Sequence, residues 1–323
     1  MIYLFPYLQI SLGVYGIYVG GPFVWTGFII LFLILPVVEI LMQKIKFDPV
    51  QHKSKVATVS LLLTPFALTT ILGFAFWRAQ HTPSNLEVLG LILSTGTMLG
   101  AYGITSAHEL VHRRELWLRA FGVYNLMLVN FAHWGLEHVF GHHKHVATPN
   151  DPATARKDEA VYPFWFRNYF GSLDRAWKIS KRRVASYWAV TVVVSVLIGF
   201  VFGAQVLLVW LLSSLVAILL LQTVDYIEHY GLLRNQNQDG FYMAVKPVHS
   251  WDTSSIWTNI TLFNLGFHSH HHMKAVVPYE DLQEQPFARR MPFGYSVMVP
   301  LSLFPFLFLP LMNKNLEISN ELK

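Results

Sequence analysis

The sequence predicts an all-α polytopic membrane protein with about six transmembrane helices and a histidine-rich site at one end of the helices. Of its 323 residues, 53% are hydrophobic and only 13% are charged, whereas soluble domains carry roughly 25% charged residues. Several apolar runs are long enough to cross about 30 Å of hydrocarbon. Finally, 13 of the 15 histidines fall within residues 108–145 and 229–272.

The apolar runs define the predicted spans. They lie near residues 2–19, 22–43, 57–78, 86–107, 187–203 and 206–226. Short glycine-containing turns join the first two runs and the last two, so each of these pairs is typical of a helical hairpin. The first run follows no basic segment and precedes no cleavage site, so we expect a membrane helix and not a signal peptide.

A further apolar stretch at 293–312 contains Pro300, Pro305 and Pro310. Prolines break a spanning helix, so this stretch is interpreted as a re-entrant or interfacial segment that covers the site. We expect residues 1–323 to form a single integral-membrane domain, with metal-site segments at 108–186 and 227–292.

The distribution of basic residues predicts the orientation. Lys44, Lys46, Lys53 and Lys55 follow the second run, whereas the connection between the third and fourth runs has only Arg78 at its edge. The positive-inside rule then places both termini and the histidines in the cytoplasm, most simply at a bacterial inner membrane. The net charge of +5 is attributed to the same basic loops, so nucleic-acid binding is not predicted. The chain has no cysteine, which excludes thiolate ligands from it.

Four histidine motifs follow the predicted spans. His108 and His112 (H-E-L-V-H) are four residues apart and share one helix face. If their segment is helical, His138 and His142 also share one face, with His143 turned towards a neighbouring site. Glu228 and His229 end the sixth span, where an ionisable pair indicates function. His268 is three and four residues before His271 and His272, with His270 on another face. Imidazole suits zinc, copper, iron and nickel.

Three classes of function fit these motifs. A metal oxygenase would use the whole set of histidines. H-E-x-x-H is also the pattern of zinc metalloproteases, in which the glutamate, here Glu109, is the general base. A metal transporter or a metal-binding module without catalysis is the third class.

The motifs also resemble those of a known family, the membrane di-iron alkane 1-monooxygenases, near the xylene monooxygenase branch and related to fatty acid desaturases. The resemblance covers nearly the whole chain. It rests on residues 108–113 and 137–143, on A-T-P-N-D-P-A at 147–153, on E-H-Y-G at 228–231 and on the last motif at 268–272. Three departures are Arg113 for the usual lysine, Asp225 for asparagine, and Gly266, Phe267 and His270 in the last motif. These departures concern the substrate and the partner more than the chemistry.

The resemblance implies a site and a reaction. Its pattern makes nine histidines the ligands of two iron ions: His108, His112, His138, His142, His143, His229, His268, His271 and His272. Glu228 would lie close to the irons as a catalytic carboxylate. The family pattern has no position for the other six histidines, which are His52, His81, His133, His145, His249 and His270. Glu109 is expected to be structural or to support a ligand, and Asp151 to cap or orient its loop.

The reaction implied is the O2-dependent hydroxylation of a hydrophobic substrate, most simply the terminal methyl of a linear alkane. A xylene-type methyl hydroxylase and a fatty-acyl desaturase or hydroxylase are the alternatives. Electrons would come from a separate rubredoxin or ferredoxin with its NAD(P)H reductase. Such donors are acidic, so we expect them to bind a basic face of this chain. The residues of that face are Arg113, Arg114, Lys144, Arg156, Lys157, Lys181, Arg182 and Arg183.

Overall fold

The computed structural model describes residues 2–45, 55–82 and 84–321. Lys46, His52 and Lys53, used above, lie outside the described residues, as does the side chain of Lys55. The regular secondary structure of the described residues is almost entirely helical, as predicted, with longer connections without helix at 146–160, 231–246 and 282–288. A short parallel pair of strands, β1 (Trp251–Asp252) and β2 (Arg289–Arg290), is the exception.

Twelve helices carry the architecture of the described chain. They are α1 (Phe5–Val19), α2 (Gly21–Leu41), α3 (Lys55–His81), α4 (Asn85–Val111), α5 (Leu116–Leu128), α6 (Ala132–Glu137), α7 (Val161–Phe202), α8 (Ala204–His229), α9 (Ile256–Thr261), α10 (His268–Met273), α11 (Tyr295–Ser302) and α12 (Pro305–Glu321). Short 3₁₀ turns lie at Ile2–Leu4, Pro247–His249 and Tyr279–Asp281.

Five of the described helices are long and apolar enough to cross a membrane. They are α2, α3, α4, α7 and α8. Helix α1 coincides with the first predicted span but has only 15 residues, which is about 22 Å of helix. The all-α membrane fold is therefore confirmed, while the crossing of α1 stays a prediction.

Helix α7 is longer than the span predicted from the apolar run. It has 42 residues, and its backbone leaves the helical conformation at Ser180 (φ −158°, ψ 88°). The part after Ser180 contains the predicted span and is about 33 Å long. The part before it carries polar and basic residues among its apolar ones, so a search for continuous apolar runs does not find it.

The stretch predicted to be re-entrant or interfacial forms α11 and α12, with a break at Leu303 and Phe304. Helix α11 has eight residues, or about 12 Å, too few to cross a bilayer. Helix α12 buries Phe308 against the rings of Tyr226 and Tyr230. The relation of this segment to the membrane stays a prediction.

Close packing of α4 against α8 brings the metal-site ends of these helices together. A Cβ atom at Gly96 would lie 2.5 Å from Cβ of Val216 and 2.6 Å from the carbonyl oxygen of Ser213. Small residues allow helix backbones to approach this closely within a membrane. His108 near the end of α4 and His229 at the end of α8 consequently reach the same site.

Replacing Gly96 with alanine should therefore destabilise the protein by about 1–3 kcal/mol, because the new methyl group overpacks the contact between α4 and α8. The apparent unfolding temperature in mild detergent measures the effect. Gly73→Ala on α3 is the matched control, since its Cβ meets nothing within 4 Å and alanine favours the helix. Equal unfolding temperatures for the two variants would contradict this account of the packing.

Candidate metal centre

Eight histidines form two groups with metal-ligand geometry. The first group contains His108, His112, His138 and His271, and the second contains His142, His229, His268 and His272. Within each group one nitrogen from every ring lies within 4.8 Å of the others. Each group draws on three different segments of the chain, so the groups exist only in the folded protein.

The ninth histidine, His143, lies between the two groups. Its Nε2 is 3.0 Å from Nε2 of His271 and 3.2 Å from Nε2 of His138, both in the first group. Its ring centroid is 4.6 Å from that of His272 in the second group. The structure thus brings together all nine histidines to which the resemblance points.

A π-helical turn decides which group each central histidine joins. Helix α6 continues into a π-helix at His138–His142, in which the amide of His143 donates to the carbonyl of His138. This i→i+5 bond places His143 beside His138 and turns His142 towards the other group. The rings of His138 and His142 do lie side by side, with centroids 5.4 Å apart and nearly parallel planes, but their nitrogens join different groups.

The other two motifs follow their spacing. His108 and His112 join the same group, as i and i+4 residues of one helix should. In α10, Nε2 of His268 lies 2.9 Å from Nε2 of His272, so His272 and not His271 is its partner. His270 stays outside both groups, where its Nδ1 accepts the amide of Gln283.

The nitrogen atoms fit a metal ligand set. Several Nε2–Nε2 separations lie between 2.9 and 3.2 Å, and nitrogens at right angles around a metal, each about 2.1 Å from it, would be roughly 3.0 Å apart. Among the described residues, Nε2 of His108 and of His112 have no hydrogen-bond partner although they are buried. Buried polar atoms are normally paired, so a bound ion would explain these two.

Most of these imidazoles are held in the neutral form that binds metals. Burial, reinforced by the neighbouring rings, lowers the pKa well below its usual range in five histidines outside the predicted spans: His138, His143, His268, His271 and His272. His142 differs. Burial alone would lower its pKa, but the Asp151 carboxylate outweighs burial and raises that pKa to about 9.

Asp151 orients the imidazole of His142. Its Oδ2 lies 3.0 Å from Nδ1 of His142, which leaves Nε2 facing the second group. The same carboxylate accepts the amide of Ala153 and the hydroxyl of Thr154, as expected for a residue that orients its loop. Carboxylates that accept the outer N–H of a ligand histidine fix its tautomer and orientation.

Glu109, the general base of the protease hypothesis, is engaged elsewhere. Its Oε1 lies 2.6 Å from Nη2 of Arg113, which also approaches Glu280 at 3.6 Å. Glu109 does not line the cavity described next, although its neighbour His108 does. This pairing disfavours the protease interpretation and supports a structural role for Glu109.

An apolar cavity ends at the histidines. Its walls come from α2, α4, α8, α9 and α11, and it is partly open to the outside. His108, His138 and His268 line it together with Asp225 and Glu228; the rest is mainly aliphatic, including Leu31, Leu35, Leu220, Leu221, Val224, Leu262, Leu265 and Val299. π-Helical turns at Ile30–Ile34 and Leu99–Ile104 lie along its walls. An apolar ligand in this cavity would reach the imidazoles.

Glu228 lies between the cavity and the second group. Its Oε2 is 3.2 Å from Nε2 of His268, and its Oε1 accepts a hydrogen bond from the hydroxyl of Tyr295 at 2.6 Å. The sequence analysis did not identify Tyr295, because no motif surrounds it. Nor did it identify Asp252, which accepts the amide and hydroxyl of Ser269 and so anchors α10.

The other histidines that the structure describes make local contacts. His81 bonds the carbonyl of Trp77 and His249 the amide of Lys246. His145 lies at the end of the short helix His143–His145, outside both groups. His133 is buried against the rings of Phe131 and Tyr169. These contacts agree with their having no position in the family pattern.

Comparison with known proteins agrees with the motifs. Residues 84–298 match the fatty acid desaturase family. Alkane 1-monooxygenase 1 of Pseudomonas aeruginosa is 35% identical over 78% of this chain and 71% of its own length. Alkane 1-monooxygenase of Ectopseudomonas oleovorans is 32% identical over 79% and 67%, respectively. The xylene/toluene monooxygenase hydroxylase component of Pseudomonas putida is 25% identical over 97% and 87%.

If the two groups bind metal, His271→Gln should lower the metal content from about two ions per chain to about one or none, because it removes a nitrogen from the first group. Elemental analysis of the purified protein measures this. His270→Gln is the matched control one residue away and should leave the content unchanged. Retention of the full metal content by the His271 variant would contradict the assignment of the first group.

Proposed function

This chain belongs to the fatty acid desaturase family and is a monooxygenase similar to the alkane 1-monooxygenases, and we propose that it hydroxylates the terminal methyl of a linear alkane to a primary alcohol. Two iron ions and O2 would serve the reaction, with electrons from a separate rubredoxin or ferredoxin. The observation that carries the proposal is the contact between the two histidine groups and the apolar cavity.

The nine histidines named above would hold the two irons. When bound, the iron pair supplies the reduction of O2 and the oxidation of the C–H bond, with two external electrons and two protons, to give alcohol and water. The donor set supports iron because it offers imidazoles and no thiolate. Asp151 holds the ring of His142 in place, and burial keeps water away from seven of the nine histidines.

The cavity supports an apolar substrate. Its aliphatic walls would bind a hydrocarbon chain and direct one end of it towards His108, His138 and His268. Among the described residues that line it there is no lysine or arginine, so no cation is available there for a fatty-acid carboxylate. This lining favours the linear alkane over a free fatty acid. A xylene-type substrate remains an outcome of the test.

Glu228 is proposed as the catalytic carboxylate. It is buried, lines the cavity and presents Oε2 to the second group. From this position it would help to hold a metal ion of the second group, or it would accept a proton on the side of the group that faces the cavity. Asp225 also lines the cavity, but its Oδ2 accepts a hydrogen bond from Asn168 at 3.2 Å.

The test of the proposed activity uses the wild-type protein in mild detergent with a rubredoxin, its reductase and NADH. A mixture of linear alkanes, xylenes and fatty acids is supplied under ¹⁸O2. The proposal predicts primary alcohols of the alkanes that carry one ¹⁸O atom. If only the xylenes were hydroxylated, the substrate would belong to the alkylaromatic class. An unsaturated acyl product without ¹⁸O would contradict hydroxylation.

A basic face is proposed to dock the electron donor at the cytoplasmic side. Lys144, Arg156 and Lys157 are exposed, whereas Arg113 is engaged with Glu109 and Glu280 and is less suited to this role. Opposite charges steer such encounters and make them depend on salt.

Reversing three charges, with Lys144→Glu, Arg156→Glu and Lys157→Glu, should raise the rubredoxin concentration needed for half-maximal turnover roughly tenfold at low salt, because the attraction is lost. Steady-state kinetics at several salt concentrations measure this, and the salt dependence should become flatter. The KM for the hydrocarbon should not change, since the cavity is untouched. Unaltered donor kinetics would exclude this face.

A further inference from the structure

Tyr295 makes a contact that neither the motifs nor the comparisons assign. Its side chain is 1% exposed and lines the apolar cavity. Its hydroxyl donates to Oε1 of Glu228 at 2.6 Å, and the next acceptor, the carbonyl of Leu265, is farther away at 3.3 Å. A hydroxyl has one hydrogen to donate, so the shorter contact to the carboxylate takes it.

This bond determines where the other oxygen of Glu228 lies. Oε2 is 3.2 Å from Nε2 of His268, which is itself 2.9 Å from Nε2 of His272 and 3.1 Å from Nε2 of His229. The oxygen is therefore as close to a nitrogen of the second group as those nitrogens are to one another. It lies on the side of the group that faces the cavity.

Tyr295 is in turn fixed by contacts at the start of α11. Its amide donates to Oγ1 of Thr258 at 2.8 Å. The neighbouring Ser296 hydroxyl donates to Glu39 of α2, and Thr258 donates to the same carboxylate at 3.4 Å. The buried carboxyl of Glu39 on α2 thus holds the start of α11, from which Tyr295 reaches Glu228 on α8.

We propose that Tyr295 is a positioning residue that holds Glu228 with Oε2 directed at the metal of the second histidine group. The proposal rests on the proposed metal centre and extends it by one residue. Without the hydroxyl, Oε1 would face an apolar wall unpaired, and a buried carboxylate oxygen does not stay unpaired without cost. The carboxylate would then turn or take up a proton, and Oε2 would leave the second group.

The test is a double-mutant cycle on metal affinity in the apoprotein. Co²⁺ is titrated into wild type, Tyr295→Phe, Glu228→Ala and the double variant, with binding followed by visible absorption. Partners that support metal ligands typically contribute 10–100-fold in affinity. Tyr295→Phe should therefore weaken one of two Co²⁺ sites about tenfold in the wild-type background, and by less than about twofold when Glu228 is already absent.

Tyr226→Phe is the matched control. Tyr226 is also a buried tyrosine, it lies on the same helix as Glu228, and its hydroxyl donates to the carbonyl of Glu159, its one hydrogen-bond partner among the described residues. Its variant should bind Co²⁺ within about twofold of wild type. In turnover, Tyr295→Phe should lower kcat and leave the KM for the hydrocarbon unchanged, because phenylalanine keeps the cavity wall apolar.

The outcomes separate this inference from the proposed function. Failure of wild type to bind two Co²⁺ ions would overturn the metal centre itself. Two sites in wild type with the same affinities in Tyr295→Phe would overturn only the role of Tyr295. An equal loss of affinity in both backgrounds would also overturn it, since Tyr295 would then act by packing and not through Glu228.

Discussion

The packing of nine imidazoles beside one another, seven of them buried and His112 and His143 half-buried, is the constraint on which the rest of the structure depends. Rings that meet nitrogen to nitrogen at about 3 Å, with little water, are costly unless something binds between them. An ion in each group would satisfy the nitrogens that the protein leaves without partners, such as Nε2 of His108 and His112. The fold can be understood as the means of holding these rings in place before the ion binds.

The long helices and the connecting segments contribute different things to the site. Helices α4 and α8 pack closely enough for their ends to supply His108 and His229 from rigid positions. The remaining ligand positions come from shorter segments that are anchored by carboxylates, with Asp151 at His142 and Asp252 at α10. Rigid helices set the distance between the groups, and the anchored segments complete them. The same helices line the apolar cavity, so the cavity and the two histidine groups share one frame.

Much of this was predictable from the sequence, because long apolar runs and clustered histidines are local signals. The apolar runs predicted six spans that all coincide with helices, and the clustering located the histidines, whereas the resemblance to the family selected nine of them as ligands. The division into two groups was not predictable, since it depends on the π-turn at His138–His142, which the residue types do not signal. Tyr295 was missed for a different reason. It meets Glu228 across 67 positions of sequence, and a single tyrosine in an apolar stretch carries no signal of such a contact.

The most direct test of the central claim is a structure of the iron-loaded protein with anomalous scattering recorded on both sides of the iron absorption edge. The account predicts two iron peaks, one within the group of His108, His112, His138 and His271 and the other within the group of His142, His229, His268 and His272. A single peak, or a zinc signal held by His108 and His112 alone, would contradict it. The zinc result would favour a zinc metalloprotease in which the H-E-L-V-H motif carries the reaction.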